Sequence, residues 1–450
     1  MSPFKTPKLK GIEREYRRLP RVVKFSGGRS SGMMLIALLE QGLLKAERGD
    51  VVVFNNTSAE HPATYEFVRK CTELAERQYG IPFFWTEYAS YEDCAQGIWK
   101  RQITYRLVNT QPYDAEKNPD GYRWGGEVFE EMVSQQGFLP NRHTRNCTTS
   151  LKLGVTTSFL SEWFAAKRET LRRGHHYPTS QIDFDDIFAM HLKSRGKFTR
   201  EELQKRKAYS LERDLFRPVQ KYSDFSRVGS APMIRALGDK NPGMMTRQMR
   251  GEAAFRFVSI MGLRADEPRR VARVKDRNDL DFDDPERRST GMCDGEVIWT
   301  PLADSDITKQ KVRDFWAQHP KLDLKLPDEA NLSNCVYCFM KGTNALKNIV
   351  GSRQKIDKKL PQRIKSVDQT PSDISWWISL ENKYQRTAEK RYSGRGRPST
   401  KKMVFGFWGG YEQKHGDAQS KAAVNYQTIY QGSEMFDPDG IDARPCDCTD

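Results

Sequence analysis

Two patterns in this 450-residue sequence could do chemistry: cysteines at ligand spacing, and tandem glycines between a strand and a helix. Cys335-Val-Tyr-Cys338 leaves two residues between two thiols, a gap that lets both sulfurs face one metal centre. Cys147, in "TRNCTTS", and Cys293, in "GMCDGEV", supply two further thiols in segments that a fold could bring to the same end of a sheet. Four such thiolates could hold an iron–sulfur cluster or a tetrahedral zinc, and unmetallated packing cysteines are the third reading. Cys71 follows a helical apolar stripe and is expected in the core, as is Cys94, since neither has a partner at ligand spacing. Cys446 and Cys448 lie in "RPCDCTD", where Asp447 and Asp450 would raise a thiol's pKa and so disfavour an activated thiolate.

The second pattern is Ser26-Gly27-Gly28-Arg29-Ser30-Ser31, inside "VVKFSGGRSSGMMLIALLEQGLL". Glycines at the carboxyl end of a strand let successive N–H groups approach an anion with no Cβ in the way. The following helix adds its partial positive charge, and the hydroxyls of Ser26, Ser30 and Ser31 can donate. Together these make a phosphate cradle, although a plain tight strand–helix connection would use the same residues. The spacing matches neither G-x-x-x-x-G-K-[ST] nor G-x-G-x-x-G.

The elements that would position these residues read as an alternation. "RVVKFS", "DVVVFNN" and "IPFFWTEY" are strand-like, and between them "SGMMLIALLEQGLL" and "HPATYEFVRKCTELAERQY" are helical, the latter with Pro62 in its first turn. Alternation of this kind predicts an α/β fold: a doubly wound parallel sheet with helices on both faces, whose ligands sit at the carboxyl ends of the strands. Strand signals return at "FRFVSIMGL" and "EVIWTPLAD", followed by the helix "ITKQKVRDFWAQH" and the cysteine loop "NLSNCVYCFMKG". The expected division is a basic arm over residues 1–20, a core in two parts over 21–160 and 251–350, a basic helical insertion over 161–250, and a helical carboxyl-terminal extension over 351–450.

The net charge of +15 favours polyanionic partners, nucleic acid first. Residues 161–250 hold 19 Lys and Arg against 11 Asp and Glu, a surplus of eight spread over helix-like segments that could present it as a surface. "GRGRPSTKK", Gly394 to Lys402, resembles minor-groove hooks, with a solvated loop as the plainer reading. His175, His176 and His191 have no ligand-spaced neighbours and are expected to pack or face solvent. Arg264, Arg269 and Arg270 flank the acidic turn "RADEPRR", and could clamp phosphate oxygens or pair internally with Asp266 and Glu267. Eight unevenly spaced cysteines do not make a disulfide framework, and no stretch is apolar enough to cross a membrane. A cytoplasmic protein is the expectation.

Several motifs in order resemble the phosphoadenosine phosphosulfate (PAPS) reductase family of the adenine nucleotide alpha-hydrolase, or PP-loop ATPase, group. Ser26 to Ser31 is similar to that group's S-G-G-x-D-S loop, and "VVVFNNTSAEHPATYEFV" to its second strand and helix, with Asn56-Thr57 at the usual Asp-Thr or Asn-Thr pair. "LPNRHTRNCTTSLKLG" resembles its Arg-x-Cys-Thr-x-x-x-Lys element, "GLRADEPRR" its Gly-x-Arg-x-x-Glu element, and "TPLADSDITKQKVRDFW" its closing strand and helix. The likeness covers about residues 20 to 155 and 255 to 345. Ser30 departs from the pattern, standing where many members have Asp, which puts any magnesium- or hydroxyl-positioning role of that carboxylate in doubt.

The resemblance implies binding of ATP or a related adenine nucleotide. Ser26, Gly27, Gly28, Arg29, Ser30 and Ser31 would hold pyrophosphate, Asn56 and Thr57 would line the adenosine side, Lys152 and Arg270 would add counter-charge, and Arg264 would balance transition-state charge, with Ser26, Ser31 and Arg264 as the catalytic group. It also implies a [4Fe–4S] cluster on Cys147, Cys293, Cys335 and Cys338, with zinc as the alternative. The implied activity is cleavage of the α–β phosphate bond to activate a target in sulfur-linked chemistry on nucleic acid, together with partner proteins, as in the sulfur-transfer ATPases of DNA phosphorothioation. A sulfonucleotide reductase with a tail thiol, and a nucleotide-sensing or nucleic-acid-binding subunit without turnover, are the other readings.

Overall fold

A computed structural model describes residues 4–93, 100–141, 145–164, 199–201, 245–249, 252–255, 257–278, 296–327, 332–389, 402–413 and 424–432. Its centre is a mostly parallel seven-stranded sheet with flanking helices, an α/β fold. The strands are β1 (Arg21–Phe25), β2 (Val51–Asn56), β3 (Phe83–Asp93), β4 (Lys100–Pro112) and β5 (Gly121–Tyr122), then, after a separate hairpin of β6 (Met245–Met249) and β7 (Glu252–Phe255), β8 (Phe257–Met261) and β9 (Glu296–Trp299). Their order across the sheet is β5-β4-β3-β2-β1-β8-β9.

Successive strands thus move outward from β1 to one side, and the chain later returns to the other side with β8 and β9. The order reverses at β1, and in open α/β sheets a crevice opens at such a reversal. β1 pairs in parallel with β2, Val22 beside Val51 through Phe25 beside Phe54, and with β8, Arg21 beside Val258 through Lys24 beside Met261. Every residue of β1 is buried, including Lys24, whose ammonium meets the buried carboxylate of Glu296 on β9. That pairing is what allows a lysine in a central strand.

The helices of the core are α1 (Arg29–Glu40), α2 (Pro62–Glu73), α3 (Glu127–Gln136), α4 (Val155–Phe164), α5 (Pro268–Lys275) and α6 (Lys309–Gln318). α2 begins where the sequence places it: Pro62 occupies its first turn and the Nδ1 of His61 accepts from the Ala63 N–H at 3.1 Å. One apolar core runs from Leu9 and Ile12 of the amino-terminal arm, through both sides of β1, to Ile429 near the other end.

Two expectations need correction. β4 runs antiparallel to β3, so the sheet is not wholly parallel. The carboxyl-terminal stretch, expected to be helical over 351–450, is not purely so: α7 (Thr343–Asp357) and α8 (Ile374–Tyr384) are followed by β10 (Arg386–Glu389). This pairs with β11 (Lys402–Gly406) and β12 (Gly409–Gln413) in an antiparallel sheet, followed by α9 (Tyr426–Tyr430). Among the described residues no helix is long and apolar enough to cross a membrane. Cys94, Cys293, Cys446, Cys448, the three histidines named above, Gly394 to Lys401 and most of the basic insertion lie outside the described residues.

Candidate functional site

The loop after β1 lies at the reversal of strand order. Gly27 has φ +76°, and a Cβ there would meet Thr64 Cγ2 at 2.8 Å, so both conformation and space require glycine. Gly28 is different. It caps α1 with an extended backbone, φ −97° and ψ 167°, which any residue adopts, and an added Cβ would meet nothing nearer than Ser26 Oγ at 3.6 Å. Neither conformation nor internal packing asks for glycine at 28, yet a side chain there would fill the space in front of the first turn of α1.

Hydroxyls and one arginine shape that space. Ser31 Oγ donates to the Gly28 carbonyl at 2.9 Å and accepts from Ser26 Oγ at 3.1 Å. These two protons are used within the loop, so Ser26 and Ser31 brace the cradle instead of donating to a ligand. Ser30 Oγ accepts from Arg264 Nη1 at 3.1 Å. The segment carrying Arg264 is brought in by β8, whose following residue Gly262 lies so close to α1 that a Cβ would stand 3.3 Å from Ser31 Cα. α5 anchors the same segment by burying Val274 against Met261, Leu263 and Ile298.

The acidic turn engages its arginines. Arg264 Nε donates to Asp266 at 3.0 Å and its Nη2 stands 3.3 Å from Glu267, while Arg270 pairs with the other Glu267 oxygen. Arg264 is therefore held across Ser30 at the mouth of the loop, whereas Arg270 braces the turn. Arg29 does not face the cradle: its guanidinium grips Asp323 at 2.6 and 2.8 Å and the Leu326 carbonyl at 2.8 Å. Asn56 is also spent. Its amide donates to Glu87 at 2.8 Å and to the Arg123 carbonyl at 2.7 Å, its oxygen accepts from the Ser58 N–H at 2.8 Å, and it is fully buried. It belongs to a buried network in which Glu87 also takes Arg106 at 3.0 Å and Arg123 at 2.9 Å.

The second site is a small cavity lined by Cys147, Cys335 and Cys338 together with Thr57, Leu151, Lys152, Phe129, Phe339 and Trp377. Thiols nearly 200 residues apart in sequence thus share one space, and none of the three is in a disulfide. Cys147, on the short helical turn Asn146–Thr148, and Lys152, in the π-helical turn Thr149–Gly154 that continues it, both line this space. Lys152, expected beside the nucleotide, lies instead with the cysteines. So does Thr57, whose Oγ1 is 3.5 Å from Cys335 Sγ and donates to Glu60 at 2.8 Å.

The cysteine loop docks on the turn after β2. Val336 N–H donates to the Ala59 carbonyl at 3.0 Å, and Glu60 forms a β-bridge with Cys335. Lys341 folds back to donate to the Val336 carbonyl at 2.9 Å and that of Ser333 at 3.2 Å. Three non-glycine residues with left-handed backbone adjoin the cavity: Ser58 at φ 57°, Arg145 at φ 45° and Asn334 at φ 61°. Such conformations persist only where surrounding contacts impose them. Burial pushes the Glu60 carboxyl up, opposed by its bond from Thr57 and the nearby charge of Lys152. Burial likewise pushes His61 down to about 4; its Nε2 stands 3.3 Å from Ser366 Oγ.

Sequence reasoning missed Glu60, Lys341 and the aromatic wall of Phe129, Phe339 and Trp377. Cys71 is buried, as expected, and burial pushes its thiol up. Among the described residues no three ligating side chains meet around a single ion. A search of protein-family models, of curated proteins and of solved structures returns no match to this chain.

Proposed function

We propose that this chain is a PP-loop enzyme of the PAPS reductase kind, built on an adenine nucleotide alpha-hydrolase-like core. It binds ATP or a related adenine nucleotide at the loop after β1 and opens the α–β phosphate bond to activate a target, in sulfur-linked modification of nucleic acid with partner proteins. The observation that carries the reading is the convergence of Cys147, Cys335 and Cys338 on one cavity at the turn after β2, the strand beside the glycine cradle. Two motifs that the resemblance pairs in sequence are paired in space as well.

In this reading Gly28 leaves room for the pyrophosphate oxygens at the amino end of α1, Ser30 and Arg264 contact them, and Ser26, Ser31 and Gly27 fix the loop's shape. Donors held in place before the bond breaks stabilise the charge that gathers on the leaving pyrophosphate. Nothing in the contacts of Arg29, Asn56 or Arg270 supports their assignment to the nucleotide. The donor types at the second site, three thiols on one cavity with Cys293 as the expected fourth, are those of a [4Fe–4S] cluster, with zinc as the alternative metal. Such a cluster supplies electron transfer or a structural brace. Lys152 would offset its negative charge, and Thr57, its proton committed to Glu60, would pack against the Cys335 sulfur.

The test is a paired assay on anaerobically purified chain. ATP should bind and, with partners and target present, release pyrophosphate; about four irons per chain should be present and be lost in Cys335→Ser. Thiol-dependent sulfite release from phosphoadenosine phosphosulfate, abolished by Cys446→Ser or Cys448→Ser, would instead establish a sulfonucleotide reductase.

A further inference from the structure

Beyond the two cysteine segments the cavity is lined by Thr57, by Phe129 of α3 and by the carboxyl-terminal stretch. Trp377 of α8 lines it, and Tyr426, the first residue of α9, is fully buried behind it, with ring centroids 5.5 Å from Trp377, 5.2 Å from Phe407 and 4.8 Å from Trp408. The Tyr426 hydroxyl donates to the carbonyl of Tyr337, one of the two residues between Cys335 and Cys338. Glu381 fastens the stretch from behind, one carboxylate oxygen accepting from the Tyr426 N–H at 2.9 Å and the other from the Phe407 N–H at 3.3 Å.

We infer that Tyr426 is a positioning residue for the cysteine site: residues 424–430 form a strap packed behind Trp377, and the hydroxyl of Tyr426 on the Tyr337 carbonyl holds the Cys335–Cys338 turn in the shape that presents both sulfurs to the cavity. The inference deepens the cluster reading and rests on it for the identity of what the sulfurs hold. The physical case is local. The rest of the turn is held by backbone and by Lys341: Val336 N–H donates to Ala59, Lys341 Nζ to the Val336 carbonyl at 2.9 Å and Lys341 N–H to the Cys338 carbonyl at 2.9 Å, while the Tyr337 carbonyl takes its bond from the Tyr426 hydroxyl. The Tyr337 carbonyl would be a buried acceptor facing an apolar wall without the phenol, and leaving such a group unpaired costs about 1–3 kcal/mol.

The experiment uses the full chain, first freed of metal by chelation and reduction, and reads iodoacetamide labelling of each cysteine by mass spectrometry. Tyr426→Phe keeps the ring and removes only the hydroxyl; Tyr426→Ala opens the wall. Labelling of Cys335 and Cys338 relative to buried Cys71 should rise about fivefold or more in Tyr426→Phe, the factor that a lost hydrogen bond of about 1 kcal/mol gives, and further in Tyr426→Ala. A purely structural role would raise Cys71 labelling in parallel and leave the ratio unchanged, which would overturn the inference, as would an unchanged ratio in both variants. Iron content answers the other question. A parent chain that carries no iron removes the cluster reading while the labelling ratio still decides the strap, and in an iron-loaded parent the visible absorbance should bleach in air several-fold faster once Tyr426 is Phe.

Discussion

Arg264 reaches from the segment after β8 to donate from Nη1 to Ser30 Oγ at 3.1 Å, joining two strands' carboxyl ends across 234 residues of chain. Ser30 occupies the place of a carboxylate in the motif that the loop resembles. Arg264 already pairs with Asp266 and Glu267, so a carboxylate at 30 would add a third negative group to it, whereas the hydroxyl adds none and leaves the mouth of the loop less hostile to phosphate. Arg264→Ala should therefore weaken ATP binding about 10- to 100-fold by calorimetry, the range expected for one charge-assisted contact. Arg264→Lys should recover part of the loss. An unchanged Kd in Arg264→Ala would place the phosphates elsewhere.

The two loop glycines separate fold from binding. Gly27→Ala puts a Cβ 2.8 Å from Thr64 Cγ2 on a left-handed backbone, and it should lower unfolding free energy by about 2 kcal/mol. Gly28→Ala meets no such contact and should leave stability within about 0.5 kcal/mol of the parent. Its methyl group would nonetheless stand in the cradle, so nucleotide affinity should drop at least about tenfold. Full affinity in a folded Gly28→Ala would remove the cradle from consideration.

The loop was legible in sequence because tandem glycines between a buried strand and an apolar helix are a local signal, and local signals survive folding. The site's other parts depend on contacts that spacing does not reveal. Asn56 looked like a ligand contact, but its amide is consumed by Glu87 and the Arg123 carbonyl, 31 and 67 residues away. Lys152 looked as though it belonged with the phosphates; it lies in a π-helical turn and lines the cavity with Cys147 instead, and no residue type in "TTSLKLG" announces that turn. The antiparallel β4 was hidden because Arg106, buried against Glu87 and Glu131, reads as a surface residue when its partners are unknown. Tyr426, more than eighty residues past the cysteines, carried no motif at all.

Nucleic-acid binding is expected through the basic residues 161–250, whose surplus of eight positive charges would contact phosphates. Affinity for duplex DNA should fall with salt at a log–log slope of about −0.9 per phosphate neutralised. Changing Lys205, Arg206 and Lys207 together to Glu should weaken binding and flatten that slope while leaving ATP affinity as it was. A salt-independent affinity, or binding indifferent to the triple change, would assign the partner to another surface.

The strap's own fastening should be sensitive to pH through Glu381. Burial raises this carboxyl from 4.5 to about 7, against the two backbone N–H groups that favour its charged form. The folded chain therefore holds a proton that the unfolded chain gives up between pH 4.5 and 7, so the contribution of Glu381 to stability is fully present below that window and is lost as pH rises through it. Glu76, also raised to about 7 by burial, acts in the same direction, and His61, lowered to about 4, acts in the opposite one between pH 4 and 6.5, so the parent's profile is a composite. Comparison with Glu381→Gln isolates the one group. The variant loses a backbone bond and should be the less stable protein at pH 5, but it has no proton to release. Its deficit relative to the parent should shrink by up to about 3 kcal/mol between pH 4.5 and 7 and stay constant above, measured by urea midpoints at half-unit steps. A deficit that is flat across the window would mean that Glu381 titrates as an exposed carboxyl, and that the strap is not held by a buried acid.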